Sequence, residues 1–178
     1  MNILNIHGYR GNRENSVFAA LSNFQVKIIS PQIDYDRQRP HEILALLHDL
    51  WQEHDCQVLA GSSLGGFYAA LLSVELQARA LLINPCMLPF LHLPQIVEEQ
   101  KSILLDYMSL FGSLTKINKN NVFAVIGEQD EVINTHSFSQ NLLGREQCIF
   151  VPEGKHSGWT LPLADILQEN WEKFWGSL

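Results

Sequence analysis

The stretch Gln57-Val58-Leu59-Ala60-Gly61-Ser62-Ser63-Leu64-Gly65-Gly66-Phe67-Tyr68 reads as a short apolar strand, a sharp turn and the start of a helix. Within it lies Gly61-x-Ser63-x-Gly65. That spacing has a physical reason. A strand that turns at once into a helix strains the backbone of the residue at the apex. The residues two before and two after the apex crowd the neighbouring chain, so both must lack bulk, and glycine meets that need. The apex serine is then held at the tip of a sheet over a helix N-terminus, with free N–H groups and a partial positive charge. This is the nucleophile-elbow pattern. The plainer alternative is a structural glycine-rich turn. A phosphate loop is excluded, because Phe67 and Tyr68 follow Gly66 where Lys and Ser/Thr are required. A dinucleotide fingerprint also fails, since Ile6-His7-Gly8-Tyr9-Arg10-Gly11 offers only Gly8 and Gly11.

Outward from this turn, short β-like runs alternate with helix-like runs. Strands are predicted at Ile3–Ile6, Val26–Ser30, Gln57–Ala60, Ala80–Ile83, Val122–Ile126 and Gln147–Val151. Several are continuously apolar, as expected of strands covered on both faces of a parallel sheet. Helices are predicted at Glu14–Leu21, Pro40–Trp51, Leu64–Leu76 and Pro162–Trp175, with a further one capped by Asn134 and stopped by Gly144. The order implies an α/β fold, a doubly wound, mostly parallel sheet of about six strands with helices on both faces. The chain of 178 residues is expected to form one domain, 1–178. One crossover is long. It holds Leu88-Pro89-Phe90-Leu91-His92-Leu93-Pro94 and a helix expected over Gln95–Phe111. Residues 86–120 form either an ordinary crossover or a small apolar cap over a pocket.

Composition narrows the function. Apolar residues make up 46% of the chain and charged residues 17%, which suits a packed core rather than disorder. The net charge of -7 disfavours nucleic acid and anionic membrane surfaces as partners. No apolar run is long enough to span a bilayer, and the N-terminus lacks a signal-peptide pattern. The three cysteines, Cys56, Cys86 and Cys148, are widely spaced without a CxxC pair, so neither a disulfide framework nor a zinc site is expected. They read as small buried hydrophobes, and a reducing, cytoplasmic setting fits them.

A serine hydroxyl needs a base to take its proton. After an elbow serine, the partners follow in the order serine, acid, histidine. His156 lies in Glu153-Gly154-Lys155-His156-Ser157-Gly158-Trp159, just after the last predicted strand, and is the expected base. The acid belongs after the penultimate strand, where Gly127-Glu128-Gln129-Asp130-Glu131 offers three carboxylates. Asp130 is the first choice, Glu128 the second and Glu131 the third. His41, His48 and His54 read as solvated, His136 as part of a late helix, and His92 as a surface residue of the possible cap. His7 reads as a brace for the loop after the first strand. The N–H groups of Leu64 and Tyr9 are the expected oxyanion donors. Arg10, Phe90 and Trp159 are the expected substrate-binding residues.

The chain resembles the small bacterial YqiA-type esterases of the α/β-hydrolase superfamily. The resemblance rests on Ile6-His7-Gly8-Tyr9, Gly61-Ser62-Ser63-Leu64-Gly65-Gly66-Phe67-Tyr68-Ala69, Ile83-Asn84-Pro85, Leu88-Pro89-Phe90, Gly127-Glu128-Gln129-Asp130-Glu131-Val132 and Gly154-Lys155-His156. It implies a compact α/β-hydrolase fold and hydrolysis of a small-molecule ester or acyl thioester, with no metal or organic cofactor. It also supports Ser63, Asp130 and His156 as a triad. The rival reading is a non-catalytic binding or regulatory protein on the same scaffold, since fold alone does not fix function.

Overall fold

A computed structural model of the chain describes residues 1–93 and 101–176. Its strands are β1 (Asn2–Ile6), β2 (Lys27–Ile29), β3 (Val58–Ser62), β4 (Arg79–Ile83), β5 (Val122–Gly127) and β6 (Cys148–Val151). They form one sheet in the order β2-β1-β3-β4-β5-β6, and every neighbouring pair is parallel. The six predicted strands all form, with ends shifted by a residue or two. The strand residues alternate between two apolar layers. Leu59, Ala80, Leu82, Val122, Ala124 and Ile126 face one layer. Val58, Ala60, Leu81, Ile83, Phe123 and Val125 face the other. Covering both faces is why these strands read as unbroken apolar runs.

The helices are α1 (Ser16–Leu21), α2 (Pro40–Glu53), α3 (Leu64–Leu76), α4 (Pro89–His92), α5 (Lys101–Phe111), α6 (His136–Leu143) and α7 (Leu163–Trp175). Apolar residues of α1 and α7 cover one face of the sheet. Those of α2, α3 and α5 cover the other. Helix α3 is buried from Leu64 through Ser73, so it has no polar face to show solvent. Glu42 accepts a bond from the backbone N–H of Arg39 at 2.9 Å and Pro40 opens α2, a start fixed by local sequence. No helix among the described residues is long and apolar enough to cross a membrane.

Four predicted helix boundaries move. Helix α2 runs on to Glu53 rather than ending at Trp51. Helix α1 starts at Ser16 rather than Glu14, because Asn15 Oδ1 accepts from the N–H of Phe18 at 2.9 Å and caps it. Helix α6 is preceded by Thr135 rather than Asn134. Thr135 makes no side-chain cap; its hydroxyl lies 2.8 Å from His92 Nε2. Helix α7 starts at Leu163, with Pro162 at its cap position. In the long crossover, Tyr107 and Leu110 of α5 and Leu114 beyond it are buried in the layer that covers the α3 face. Residues 94–100, which include part of the helix expected over Gln95–Phe111 and of the possible cap, lie outside the described residues.

The topology names a place for a ligand before any side chain is considered. From β1 the chain moves outward to β2, then returns to add β3 on the other side of β1. Helices α1 and α3, which follow β1 and β3, pack on opposite faces of the sheet, a switch point of the kind where open α/β sheets bind ligands at the carboxyl edge. Ile6 at the end of β1 pairs with Gly61, so His7-Gly8 and Ser62-Ser63 emerge side by side.

Candidate active site

Ser63 stands between β3 and α3 with φ 51° and ψ −120°, a backbone conformation that side chains rarely adopt. Its neighbours enforce the conformation. The N–H of Ser63 donates to the carbonyl of Ile83 at 2.9 Å, and its own carbonyl accepts from Gly66 at 2.9 Å and Cys86 at 3.0 Å. A side chain at Gly65 would strike the backbone of Ile6 and His7, and one at Gly61 would strike Gly65. The two glycines of the motif are thus required by close backbone packing. Leu64 follows as the first residue of α3, buried, with its N–H at the helix start.

The β1 loop lies against the same serine. A Cβ added to Gly8 would fall 2.8 Å from Ser63 Cβ and 3.4 Å from Ser63 Oγ. His7 braces this loop. Its Nε2 accepts the N–H of Ile33 at 2.9 Å, which puts the proton of the neutral ring on Nδ1, 2.7 Å from the carbonyl of Gly8. Burial lowers its pKa, against the opposing effect of the Gly8 bond. The hydroxyl of buried Tyr35 donates to the carbonyl of His7 at 2.6 Å. Tyr9 donates its hydroxyl to Asp36 at 2.7 Å, and the Arg10 guanidinium lies 5.2 Å from the Tyr9 ring centre.

Asp130 and His156 leave the carboxyl ends of β5 and β6. The Asp130 side chain is only 1% exposed and accepts four hydrogen bonds. Oδ1 accepts the N–H groups of Val132 and Ile133, each at 2.8 Å. Oδ2 accepts Nδ1 of His156 at 2.9 Å and Nε2 of His136 at 2.8 Å. Burial alone would raise this carboxyl's pKa; the bonds from His136, His156, Ile133 and Val132 outweigh it and hold the group well below the usual carboxylate range. Cys86, whose N–H holds the carbonyl of Ser63, has its thiol pushed up to about 12 by burial and by the charge of Asp130. Burial likewise raises Cys56 and Cys148 to about 11, so all three free cysteines are poor nucleophiles.

Sequence reasoning missed Asn84, apart from its place in the family resemblance. It is 1% exposed with φ 44°. Its Nδ2 donates to the carbonyls of Lys155 at 2.8 Å and His156 at 3.0 Å. Its Oδ1 accepts the N–H of Gly127 at 2.7 Å, and its own N–H donates to Val125 at 2.9 Å. One side chain therefore ties the end of β4 to the loops carrying Asp130 and His156. The backbone N–H of His156 donates to Glu131 Oε2 at 3.2 Å, which gives this third-choice acid a bracing position. Glu128, the second choice, donates its backbone N–H to Val151 at 2.9 Å. The sequence places His136 only in a late helix, and nothing local signals its bond to Asp130.

Trp159, two residues beyond Ser157 in the turn Gly158–Thr160, is 68% exposed. Phe90 on α4 is half-buried, edge-on to Phe111 at 5.5 Å between ring centres. Ser63, Leu64, the Tyr9–Arg10 loop, Asp130, His156 and Trp159 all follow the carboxyl ends of strands, on one edge of the sheet.

Three solved structures share this architecture. A lipolytic enzyme of the metagenome-derived LipS and LipT pair superposes with a TM-score of 0.68 at 13% identity, over 97% of this chain and 92% of its own. A thioesterase domain of the curacin biosynthetic pathway gives 0.66 at 14% identity, over 94% and 90%. A structure from work on carboxylesterases of the thaumarchaeon Nitrososphaera gargenis gives 0.63 at 10% identity, over 96% and 87%. Together with the parallel six-stranded sheet, these likenesses define the class: the fold is that of the α/β hydrolases. Within that class the chain belongs to the Uncharacterised protein family (UPF0227), the YqiA family, whose model matches residues 2–157.

Proposed function

We propose that the protein is a serine hydrolase that cleaves a carboxylic ester or acyl thioester of a small molecule. The observation that carries this reading is the His156 Nδ1–Asp130 Oδ2 bond of 2.9 Å on the sheet edge that also bears the strained Ser63. With Nδ1 engaged, Nε2 of His156 is the nitrogen available to take the Ser63 proton. Ser63 attacks the carbonyl carbon, and the N–H groups of Leu64 and Tyr9 receive the oxyanion. Asp130 orients the ring and stabilises it when charged. His156 returns the proton to the departing alcohol or thiol, and water repeats the cycle on the acyl-enzyme. Arg10, Phe90 and Trp159 are assigned to the substrate-binding surface. The esterase and thioesterase activities named for the structural relatives support this reaction class.

The test is labelling with a fluorophosphonate probe beside turnover of nitrophenyl esters of increasing acyl length. Wild type is expected to label and turn over, and Ser63→Ala to do neither while keeping its circular-dichroism spectrum. Folded wild type that neither labels nor turns over would sink the reading and leave a binding protein on a hydrolase scaffold.

A further inference from the structure

Asp130 serves two histidines through one oxygen. His156 Nδ1 and His136 Nε2 reach Oδ2 at 2.9 and 2.8 Å, while Oδ1 is fully occupied by two backbone N–H groups. The two rings are not equivalent. His156 is the more exposed side chain, at 20% against 13%. The Nδ1 of His136 is buried and finds no hydrogen-bond partner among the described residues. With Nε2 donating to the carboxylate, that Nδ1 is the bare nitrogen of the neutral ring, closed off from any substrate. His136 therefore cannot act as the proton acceptor for Ser63, yet it draws on the same negative charge that His156 uses.

We propose that His136 is a positioning residue acting through Asp130: by donating to the oxygen that also receives His156, it limits how strongly the carboxylate supports a proton on His156. The physical basis is that a carboxylate oxygen shared between two donors offers each less charge than it offers one. Among the described residues, the titratable groups facing His136 are Asp130 on the preceding loop, His156 on the β6 loop and His92 on α4. Burial holds His92 low. Cys86 also senses Asp130, but its thiol stays protonated at neutral pH. His92 is tied to Thr135, the residue before His136, at 2.8 Å, so α4 helps to seat the ring. The proposal rests on the reading of His156 as the base, but its central claim concerns only the two rings and the acid.

The experiment follows the His156 ring by NMR titration of isotope-labelled histidine in wild type, His136→Gln and His136→Phe. Glutamine places an N–H where Nε2 stands; phenylalanine does not. In His136→Phe the apparent pKa of His156 is expected to rise by about half a unit or more, as befits loss of a hydrogen-bond competitor for its counter-ion. His136→Gln is expected to restore the wild-type value. The acid limb of kcat/KM should move with the titration. An unchanged His156 titration in folded His136→Phe overturns the proposal. Should that variant fail to fold, His136→Asn, polar but too short to reach Asp130, takes its place with the same expectation. The titration does not require turnover. If wild type fails to label with fluorophosphonate, the hydrolase reading falls while the coupling of the two rings is still decided.

Discussion

The two sides of the candidate site are held by different physics. On the serine side the constraint is volume. Ser63 keeps its strained backbone because Gly61, Gly65 and Gly8 let three chain segments touch, and because α3 is buried along most of its length. On the acid–base side the constraint is hydrogen bonding. Asn84, Glu131 and Asp130 hold the His156 loop through specific donors and acceptors. A close-packed turn fails when an atom is added; a bonded loop fails when a partner is removed.

That contrast can be broken at either end. The largest effect is expected for Gly65→Val, which drives a branched side chain into the backbone of Ile6 and His7. A loss of about 3 kcal/mol or more is expected, since overpacking against backbone has no flexible neighbour to yield. Urea denaturation measures it, and a loss below about 1 kcal/mol would refute volume as the constraint. Next comes Asn84→Ala, which leaves the N–H of Gly127 and the carbonyls of Lys155 and His156 without their partner. About 2–3 kcal/mol of stability should be lost. Ester turnover and fluorophosphonate labelling of Ser63 should both fall, because each needs the proton acceptor carried by the damaged loop. Unchanged turnover and labelling in the folded variant would show that these bonds do not hold the His156 loop.

The smallest effect is one of pH, and it sharpens the contrast by touching the brace of the serine side. His7 must be neutral to accept the N–H of Ile33, and burial lowers its pKa from the ordinary 6.5. Above 6.5 both the folded and unfolded rings are neutral, and the stabilisation is complete. As pH falls from there through the lowered folded value, the unfolded chain binds the proton more readily, so stability drops. His7→Gln keeps an acceptor for Ile33 without a titrating ring. Denaturation between pH 7.5 and 5.5 (~ two units, spanning the ordinary histidine range) should show a shallower decline in this variant. An identical decline in both proteins would count against His7 as a source of it. The depressed carboxyl of Asp130 has the same sign in a lower window: its contribution is present above 3.8 and is lost as pH falls through its folded value.

Much of this was legible along the chain because its causes are local. Apolar runs of strand length gave six strands, since each is covered on both faces. Gly61-x-Ser63-x-Gly65 marks a turn whose packing needs are met within the motif and the strand beside it. The order Ser63, Asp130, His156 follows the order of strands, and the structure brings the last two within hydrogen-bonding distance. Helix boundaries were less legible. Asn15 caps α1 from a position one residue past the expected start, and Thr135 rather than Asn134 precedes α6. Several Ser, Thr, Asn and Asp residues stand near each end, and only folded geometry selects among them.

By itself, then, the sequence determined the strand–helix alternation, the elbow and the family resemblance, because hydrophobic period and glycine spacing act over a few residues. Only the tertiary structure decided the sheet order, the switch point between β1 and β3, the central place of Asn84 and the sharing of Asp130 between His136 and His156. Those contacts join residues from different strand ends; Asn84 and His156 stand 72 positions apart. Nothing in the spacing of a polar side chain along the chain reveals which distant carbonyl or carboxylate the sheet will bring to it.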